Sequence, residues 1–194
     1  MPPQLLLAST SPRRRELLTQ IGVGFETLAV DVDETPLQNE SADAYVLRVA
    51  AEKSLQGQSF CRTGLPVLGA DTEVVLDGQI LGKPRDYSHA CEILQSLSGR
   101  EHEVLSGISL RLEDRHWQAL SRSKVRFRTL EAWEIAAYWQ TQEPCDKAGA
   151  YAIQGLGAIF ITQLTGSFSG VMGLPIHETA ELLKKAGVHL LRKL

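Results

Sequence analysis

The stretch LPVLGADTEVVLDGQILGKP, residues 65–84, contains the features that decide the fold class. Its first half is an apolar run that predicts a buried strand, and Asp77-Gly78 is a favoured pair for a type I′ hairpin turn. The residues after that turn predict the returning strand of the hairpin. Since the rest of the chain alternates strands with helices, we expect a mixed α/β sheet.

The chain before this hairpin predicts one strand and two helices. Residues 4–8 form a short apolar run typical of a buried strand. Ser11 can cap the helix that follows, Pro12 suits its first position and Gly22 ends it. A second helix is predicted from about Ser41 to Gln56, after an extended stretch.

The chain after the hairpin predicts three more helices and another pair of strands. A helix is expected from near Asp86 to Leu97, and two antiparallel strands within residues 103–128. Further helices are predicted from about Glu131 to Thr141 and from His177 to Ala186. Together these elements indicate a mixed sheet with flanking helices.

Composition places the chain among ordinary globular proteins, with 43% hydrophobic and 22% charged residues in a chain of 194. We expect a single domain over residues 1–194. The net charge of −3, with both signs interleaved, excludes a general nucleic-acid binder. Three scattered cysteines predict free thiols in a reducing compartment, and the apolar runs are too short for a membrane span. A cytoplasmic protein is therefore expected.

Three consecutive arginines, Arg13 to Arg15, follow Ser11-Pro12 at the start of the first predicted helix. The positive end of the helix dipole makes this an unfavourable place for cations. A phosphate bound at the helix N-terminus would account for them, because the free backbone N–H groups and the arginines both attract anions. A solvated basic patch is the alternative that the residues alone leave open.

Other charged residues are candidates for the same chemistry. Lys53 extends an apolar helical stripe, so it either reaches to the surface or faces an anionic ligand in a cleft. Asp71 follows a buried strand, where a rigid element can aim a catalytic carboxylate, although a structural role in a turn is equally simple. On an extended strand the side chains of Asp31 and Asp33 would point to one face, and that of Glu34 would point to the other. Such carboxylates either hold Mg²⁺ or are merely solvated.

Several motifs are incomplete and are rejected. Lys83 lies in a partial P-loop pattern, but Pro84 stands where the metal-binding hydroxyl belongs. Phe168 occupies the position that a nucleophile elbow requires for serine. The five histidines show no metal-ligand spacing. The remaining candidates are cationic side chains, one carboxylate that could act as a general base, and carboxylates that could hold a metal ion. Such a set suits attack of water on a nucleotide phosphate.

The order of the motifs resembles the Maf family of nucleoside triphosphate pyrophosphatases. The matching segments run from LASTSPRRREL, VDET and AAEKS through LGADTEVVLDGQILGKPRD and LSGREHEV to EPCDKAGAYAIQGLGAIFI and GSFSGVMGLP. The resemblance implies cleavage between the α and β phosphates, with Mg²⁺ or Mn²⁺. It also implies an elongated, ITPase-like α/β fold with two lobes around a central cleft, and a homodimer.

The resemblance also assigns roles to individual residues. It implies that Asp71 is the proton acceptor that activates water and that Glu34 helps to hold the cation. It implies a ring of phosphate-binding residues, namely Ser9, Arg13, Arg14, Lys53 and Lys83.

At three positions the chain resembles the branch of the family that acts on dTTP and UTP. That branch carries the residues found here as Arg13, Thr72 and Gln154. A neutral amide such as Gln154 can donate a hydrogen bond to the O4 acceptor of a pyrimidine, whereas glutamate would suit a methylated guanine. Two alternatives stay open: hydrolysis of modified pyrimidine nucleotides, and a nucleotide-binding regulator of cell division and septum formation.

Overall fold

The computed structural model describes residues 2–190, whose strands form one mixed seven-stranded sheet. The strands are β1 Leu5–Leu7, β2 Phe25–Thr27, β3 Val67–Leu76, β4 Gln79–Ile80, β5 Glu101–Leu112, β6 Arg115–Phe127 and β7 Ile161–Thr165. The α-helices are α1 Pro12–Gln20, α2 Ala42–Phe60, α3 Tyr87–Leu97, α4 Ala132–Gln140, α5 Phe168–Met172 and α6 Ile176–Lys185. Short 3₁₀ turns occupy Glu143–Asp146, Ala148–Ala150 and Leu156–Phe160.

The sheet runs in the order β2-β1-β3-β5-β6-β7, with β4 paired to β3. β1 lies parallel to both β2 and β3, whereas β3, β5, β6 and β7 are successively antiparallel. Helices flank this sheet, so the α/β class expected from the sequence is confirmed.

The 65–84 hairpin forms as its sequence predicts. Asp77 and Gly78 both have positive φ, at 51° and 79°, as a type I′ turn requires. β3 and β4 then pair antiparallel, with Val75 opposite Ile80 and Leu76 opposite Gln79. The second predicted pair of strands is also confirmed, because β5 and β6 align along their full lengths.

Two glycines allow α2 to lie directly on the sheet. A Cβ at Gly69 on β3 would come within 2.3 Å of the Ala50 carbonyl oxygen, and one at Gly107 on β5 within 2.5 Å of the Val46 carbonyl oxygen. Any larger residue would push the helix away. This close packing fixes the height of α2 above β3 and so positions Lys53, which α2 carries.

The short β1 leaves part of β3 open. β1 pairs with the start of β3 at Val67 and Leu68, and β4 pairs with its end at Val75 and Leu76. Between those partners, the edge of β3 borders a cleft. Alternation along β3 sends Ala70 and Val74 into the main core and turns Asp71 toward α2.

The structure corrects three local predictions. Residues 28–36 form a loop rather than an extended strand, and in it Asp33 Oδ1 accepts the Thr35 N–H at 2.8 Å. α2 continues to Phe60 rather than Gln56 because Gly57 lies inside the helix, packed closely against Ala8 and Val67. Ser11 occupies the N-cap position of α1, but its side chain makes no capping hydrogen bond.

Cys61, Cys91 and Cys145 are free thiols, as their spacing predicts. Within residues 2–190, no helix has both the length and the apolar character that a membrane crossing requires.

Candidate active site

A cleft of about 330 Å³ opens between the start of α1, the free edge of β3 and the segment around residues 146–154. All the residues to which the family resemblance assigns a role line it: Ser9, Arg13, Arg14, Glu34, Lys53, Asp71, Thr72, Lys83 and Gln154. Segments far apart in the sequence therefore converge on one concave surface.

The three arginines at the start of α1 point in different directions. Arg13 and Arg14 face the cleft, whereas Arg15 is exposed outside it. Arg14 is held firmly, because its Nε donates to the Gly173 carbonyl at 2.9 Å and its Nη1 to Ser9 Oγ at 3.2 Å. Arg13 is less constrained, with Nη1 4.0 Å from Asp146 Oδ2.

Burial lowers the pKa of both Arg13 and Arg14. The nearby carboxylates act in the other direction: Asp146 raises the pKa of Arg13, and Asp71 raises that of Arg14. The direction of both shifts means that the surrounding carboxylates do not fully offset the cost of desolvating these guanidinium groups. A bound polyanion would supply the missing negative charge. The position of both guanidinium groups in the cleft favours a phosphate site over a solvated basic patch.

Lys53 reaches from α2 into the cleft, between two carboxylates. Its Nζ lies 2.8 Å from Asp71 Oδ1 and 2.6 Å from Glu34 Oε1. Partial burial of Glu34 opposes the shift, but the hydrogen bond and charge of Lys53 lower the pKa of that carboxyl below its usual value. The sequence left two possibilities for Lys53, namely reaching to the surface or facing a cleft. In the structure Lys53 faces the cleft.

Asp71 has one oxygen fixed and one free. Lys53 holds Oδ1, whereas Oδ2 is buried and has no hydrogen-bond partner among residues 2–190. A carboxylate oriented in this way keeps an acceptor available for a proton or a cation. That is the property a general base requires.

Glu73 is a site residue that the motif analysis missed. It lines the cleft two residues beyond Asp71, and its side chain is buried. Burial and the charge of Asp71 raise its pKa to about 8, although Lys83 opposes the shift. The strand alternation contained a signal, since residues i and i+2 on β3 face the same way.

Thr72 points to the opposite face of β3. Its Oγ1 forms a 2.8 Å hydrogen bond with Ser106 Oγ and lies 3.4 Å from the Gly173 carbonyl, to which Arg14 also donates. Thr72 and Arg14 therefore meet at one carbonyl at the end of α5. This links the β3 edge to the arginine side of the cleft.

Gln154 is exposed at the cleft, on a turn that Glu143 supports from behind. The Glu143 carboxylate accepts hydrogen bonds from the Tyr138 hydroxyl at 2.7 Å and from the N–H groups of Leu156 and Gly157 at 2.9 and 3.0 Å. The backbone around Gln154 is thus fixed while its amide stays available. Glu143 is a supporting residue that the motif analysis did not identify.

The acidic side chains of the cleft suit a hard divalent cation. Glu34, Asp71 and Glu73 offer only oxygen donors, and two of those oxygens are buried without a partner among residues 2–190. In the same residues, no three His, Cys, Asp or Glu side chains form a metal cluster. A divalent cation held here would share protein carboxylates with phosphate oxygens, as Mg²⁺ commonly does.

Other metal candidates lie elsewhere. Neither Asp31 nor Asp33 lines the cleft, so of that acidic run Glu34 alone reaches it. His102 is buried, its Nε2 is 2.9 Å from the Tyr151 hydroxyl, and burial lowers its pKa to about 4. It is a neutral packing residue.

The chain is similar to several known proteins. A family model described as "Maf-like protein" matches residues 4–186. A dTTP/UTP pyrophosphatase of Methylococcus capsulatus is 61% identical, over 98% of this chain and 95% of that protein. A dTTP/UTP pyrophosphatase of Alkalilimnicola ehrlichii is 53% identical, over 93% of this chain and 92% of that protein. A dITP/XTP pyrophosphatase structure from Mycobacterium abscessus covers 94% of this chain and 93% of its own, with a TM-score of 0.48 and 16% identity.

Proposed function

The chain belongs to the Maf family, and from that premise we propose that it hydrolyses dTTP and UTP to the nucleoside monophosphate and pyrophosphate. The proposal takes its substrates from relatives that align over nearly the whole chain. The observation that carries it is that Asp71, Arg13 and Arg14 line a single cleft. That arrangement suits a triphosphate held by the two guanidinium groups and attacked by a water molecule that Asp71 activates.

In this reaction Asp71 takes the proton of the attacking water. Lys53 holds Oδ1 of Asp71 and so fixes the carboxylate, while Oδ2 stays available as the acceptor. General bases positioned in this way contribute about 10²–10⁴-fold to a rate. No side chain forms a covalent intermediate in this scheme.

The phosphates are held by groups from several elements. Arg13 and Arg14 approach from α1, and Ser9 from the loop before it. Lys53 approaches from α2, and Lys83 from the segment after β4. Electrostatic positioning of this kind supplies most of the catalysis in phosphoryl transfer.

We propose Mg²⁺ or Mn²⁺ as the cofactor, with Glu34 and Asp71 as carboxylates able to hold it. A bound cation neutralises charge that develops on the phosphate oxygens. The support is the oxygen-only donor set in the cleft and the unpartnered Oδ2 of Asp71.

Replacing Arg13 with Ala tests the phosphate site. We expect kcat/KM for dTTP to fall roughly 10- to 150-fold, since a charge-assisted hydrogen bond contributes about 1.5–3 kcal/mol. Steady-state kinetics measure the effect. Arg15→Ala is the matched control, because Arg15 lies on the same helical turn outside the cleft and should leave the rate unchanged. A fully active Arg13→Ala enzyme would remove Arg13 from the site.

Replacing Gln154 with Glu tests the base contact. A carboxylate cannot donate to the pyrimidine O4, so dTTP and UTP turnover should fall about tenfold or more relative to a purine triphosphate. Competition kinetics between the two substrates report the change in selectivity. Gln95→Glu, on the exposed face of α3, provides the control. Unchanged selectivity in Gln154→Glu would show that this amide does not read the base.

A panel of triphosphates separates the proposed activity from its alternatives. We expect dTTP and UTP to be turned over faster than purine triphosphates, with pyrophosphate as the measured product. Modified pyrimidine triphosphates that outcompete dTTP would favour hydrolysis of damaged or modified nucleotides as the role. Nucleotide binding without turnover would favour a regulator of cell division. The homodimer and the cytoplasmic location stay predictions.

A further inference from the structure

Two carboxylate oxygens in the cleft, Asp71 Oδ2 and Glu73 Oε2, are buried and have no hydrogen-bond partner among residues 2–190. Native proteins satisfy nearly all buried polar atoms. Both residues are at least nine-tenths buried, with relative exposures of 5% and 9%. A cation bound between the two side chains would complete both oxygens.

The strand brings these two oxygens within reach of a single ion. Residues two apart on a β-strand point to the same face and are separated by roughly 7 Å along it. Carboxylate oxygens bind Mg²⁺ at about 2.1 Å, so an Asp and a Glu at this spacing can bridge one cation between them. The side chain of Glu73 is one methylene longer than that of Asp71 and can span the larger part of the gap.

Glu34 is bound differently. Its Oε1 lies 2.6 Å from Lys53 Nζ, which also holds Asp71 Oδ1 at 2.8 Å. Lys53 thus occupies one oxygen of Glu34 and one oxygen of Asp71. The oxygens without a partner among residues 2–190 are Asp71 Oδ2 and Glu73 Oε2.

We infer that Glu73 is a further ligand of the divalent cation, sharing it with Asp71 and with phosphate oxygens of the nucleotide. The inference rests on the cation requirement proposed above and adds a residue to it. Two carboxylates completed by phosphate and water form a common magnesium arrangement.

Cation binding and base catalysis by Asp71 are compatible. A carboxylate has about four lone-pair sites on its two oxygens, and Lys53 occupies one of them. Asp71 Oδ2 can therefore contact the cation through one lone pair and accept a proton through the other.

Direct measurement of Mn²⁺ binding tests the inference apart from activity. The metal-free protein is titrated with Mn²⁺ while the free ion is followed by electron paramagnetic resonance, with and without a non-hydrolysable α,β-imido analogue of dTTP. Glu73→Gln, which keeps the shape and removes the charge, should raise the Kd for Mn²⁺ at least about tenfold, since even outer-shell partners of metal ligands contribute 10- to 100-fold. Glu92→Gln, an exposed glutamate on α3, should bind as the wild type does.

Thermal melting provides a second readout. In chelator, Glu73→Gln should melt at or above the wild-type temperature, because burial and the charge of Asp71 disfavour an ionised carboxyl at this position and do not affect a neutral amide. Added Mn²⁺ should then raise its melting temperature less than that of the wild type. Glu73→Asp keeps the charge with a shorter reach, and its Mn²⁺ affinity should lie between those of the wild type and Glu73→Gln.

The outcomes separate this inference from the proposed function. Wild-type Mn²⁺ affinity in Glu73→Gln would overturn the role of Glu73 and leave the proposed pyrophosphatase intact. No Mn²⁺ binding by the wild type, even with the dTTP analogue, would overturn both the role of Glu73 and the proposed cation requirement.

Discussion

Asp71→Asn is expected to reduce kcat for dTTP by about 10²–10⁴-fold, the range that a general base contributes. Asparagine matches aspartate in shape and can still accept a hydrogen bond from Lys53, but it cannot take a proton from water at neutral pH. The phosphate-binding groups are unchanged, so the variant should still bind nucleotide. Single-turnover kinetics and calorimetric titration with dTTP separate the two effects.

Asp77→Asn is the matched control for that variant. Asp77 lies on the turn of the same hairpin, exposed and paired with Arg100, and asparagine tolerates its positive φ. Near wild-type turnover is expected from it. An Asp71→Asn enzyme that retained normal kcat would mean that another group activates the water.

Lys53→Met is expected to lower both stability and activity. The ammonium group lies between Asp71 and Glu34, and the side chains of Lys53 and Asp71 are only 12% and 8% exposed. Removing one partner of a buried ion pair leaves an uncompensated charge and costs about 3–5 kcal/mol. We expect the lower end of that range, because Glu34 is 44% exposed and solvent screens it.

Denaturant unfolding in chelator measures the loss of stability, and kcat/KM for dTTP reports the lost phosphate contact and the disoriented Asp71. Lys184→Met, an exposed lysine on α6, controls for removal of a positive charge and should unfold close to the wild type. Wild-type stability and kcat/KM in Lys53→Met would contradict the place given to this lysine.

Much of the fold follows from local sequence rules. Asp77-Gly78 fixes the β3–β4 hairpin because few residue pairs tolerate two successive positive φ angles. The arginines at the start of α1 indicated a phosphate site because their position is unfavourable for the helix itself. These predictions depend on interactions between residues close in sequence, and the structure brings the predicted site residues to one cleft.

The remaining features depend on contacts between distant segments. Gly57 favours a helix end by propensity, yet it lies inside α2 because Ala8 and Val67 leave no room for a side chain. The ion pair between Glu34 and Lys53 requires the 28–36 loop to lie against α2. The sequence analysis missed Glu73. This residue lines the cleft because β1 pairs only with the start of β3 and leaves the later residues of that strand uncovered.

Product analysis of dTTP turnover by ³¹P nuclear magnetic resonance tests the central claim most directly, namely that this cleft splits the bond between the α and β phosphates. With Mg²⁺ present, the account predicts dTMP and pyrophosphate in equal amounts. Formation of dTDP and orthophosphate, or dTTP that stays intact with both Mg²⁺ and Mn²⁺, would contradict it.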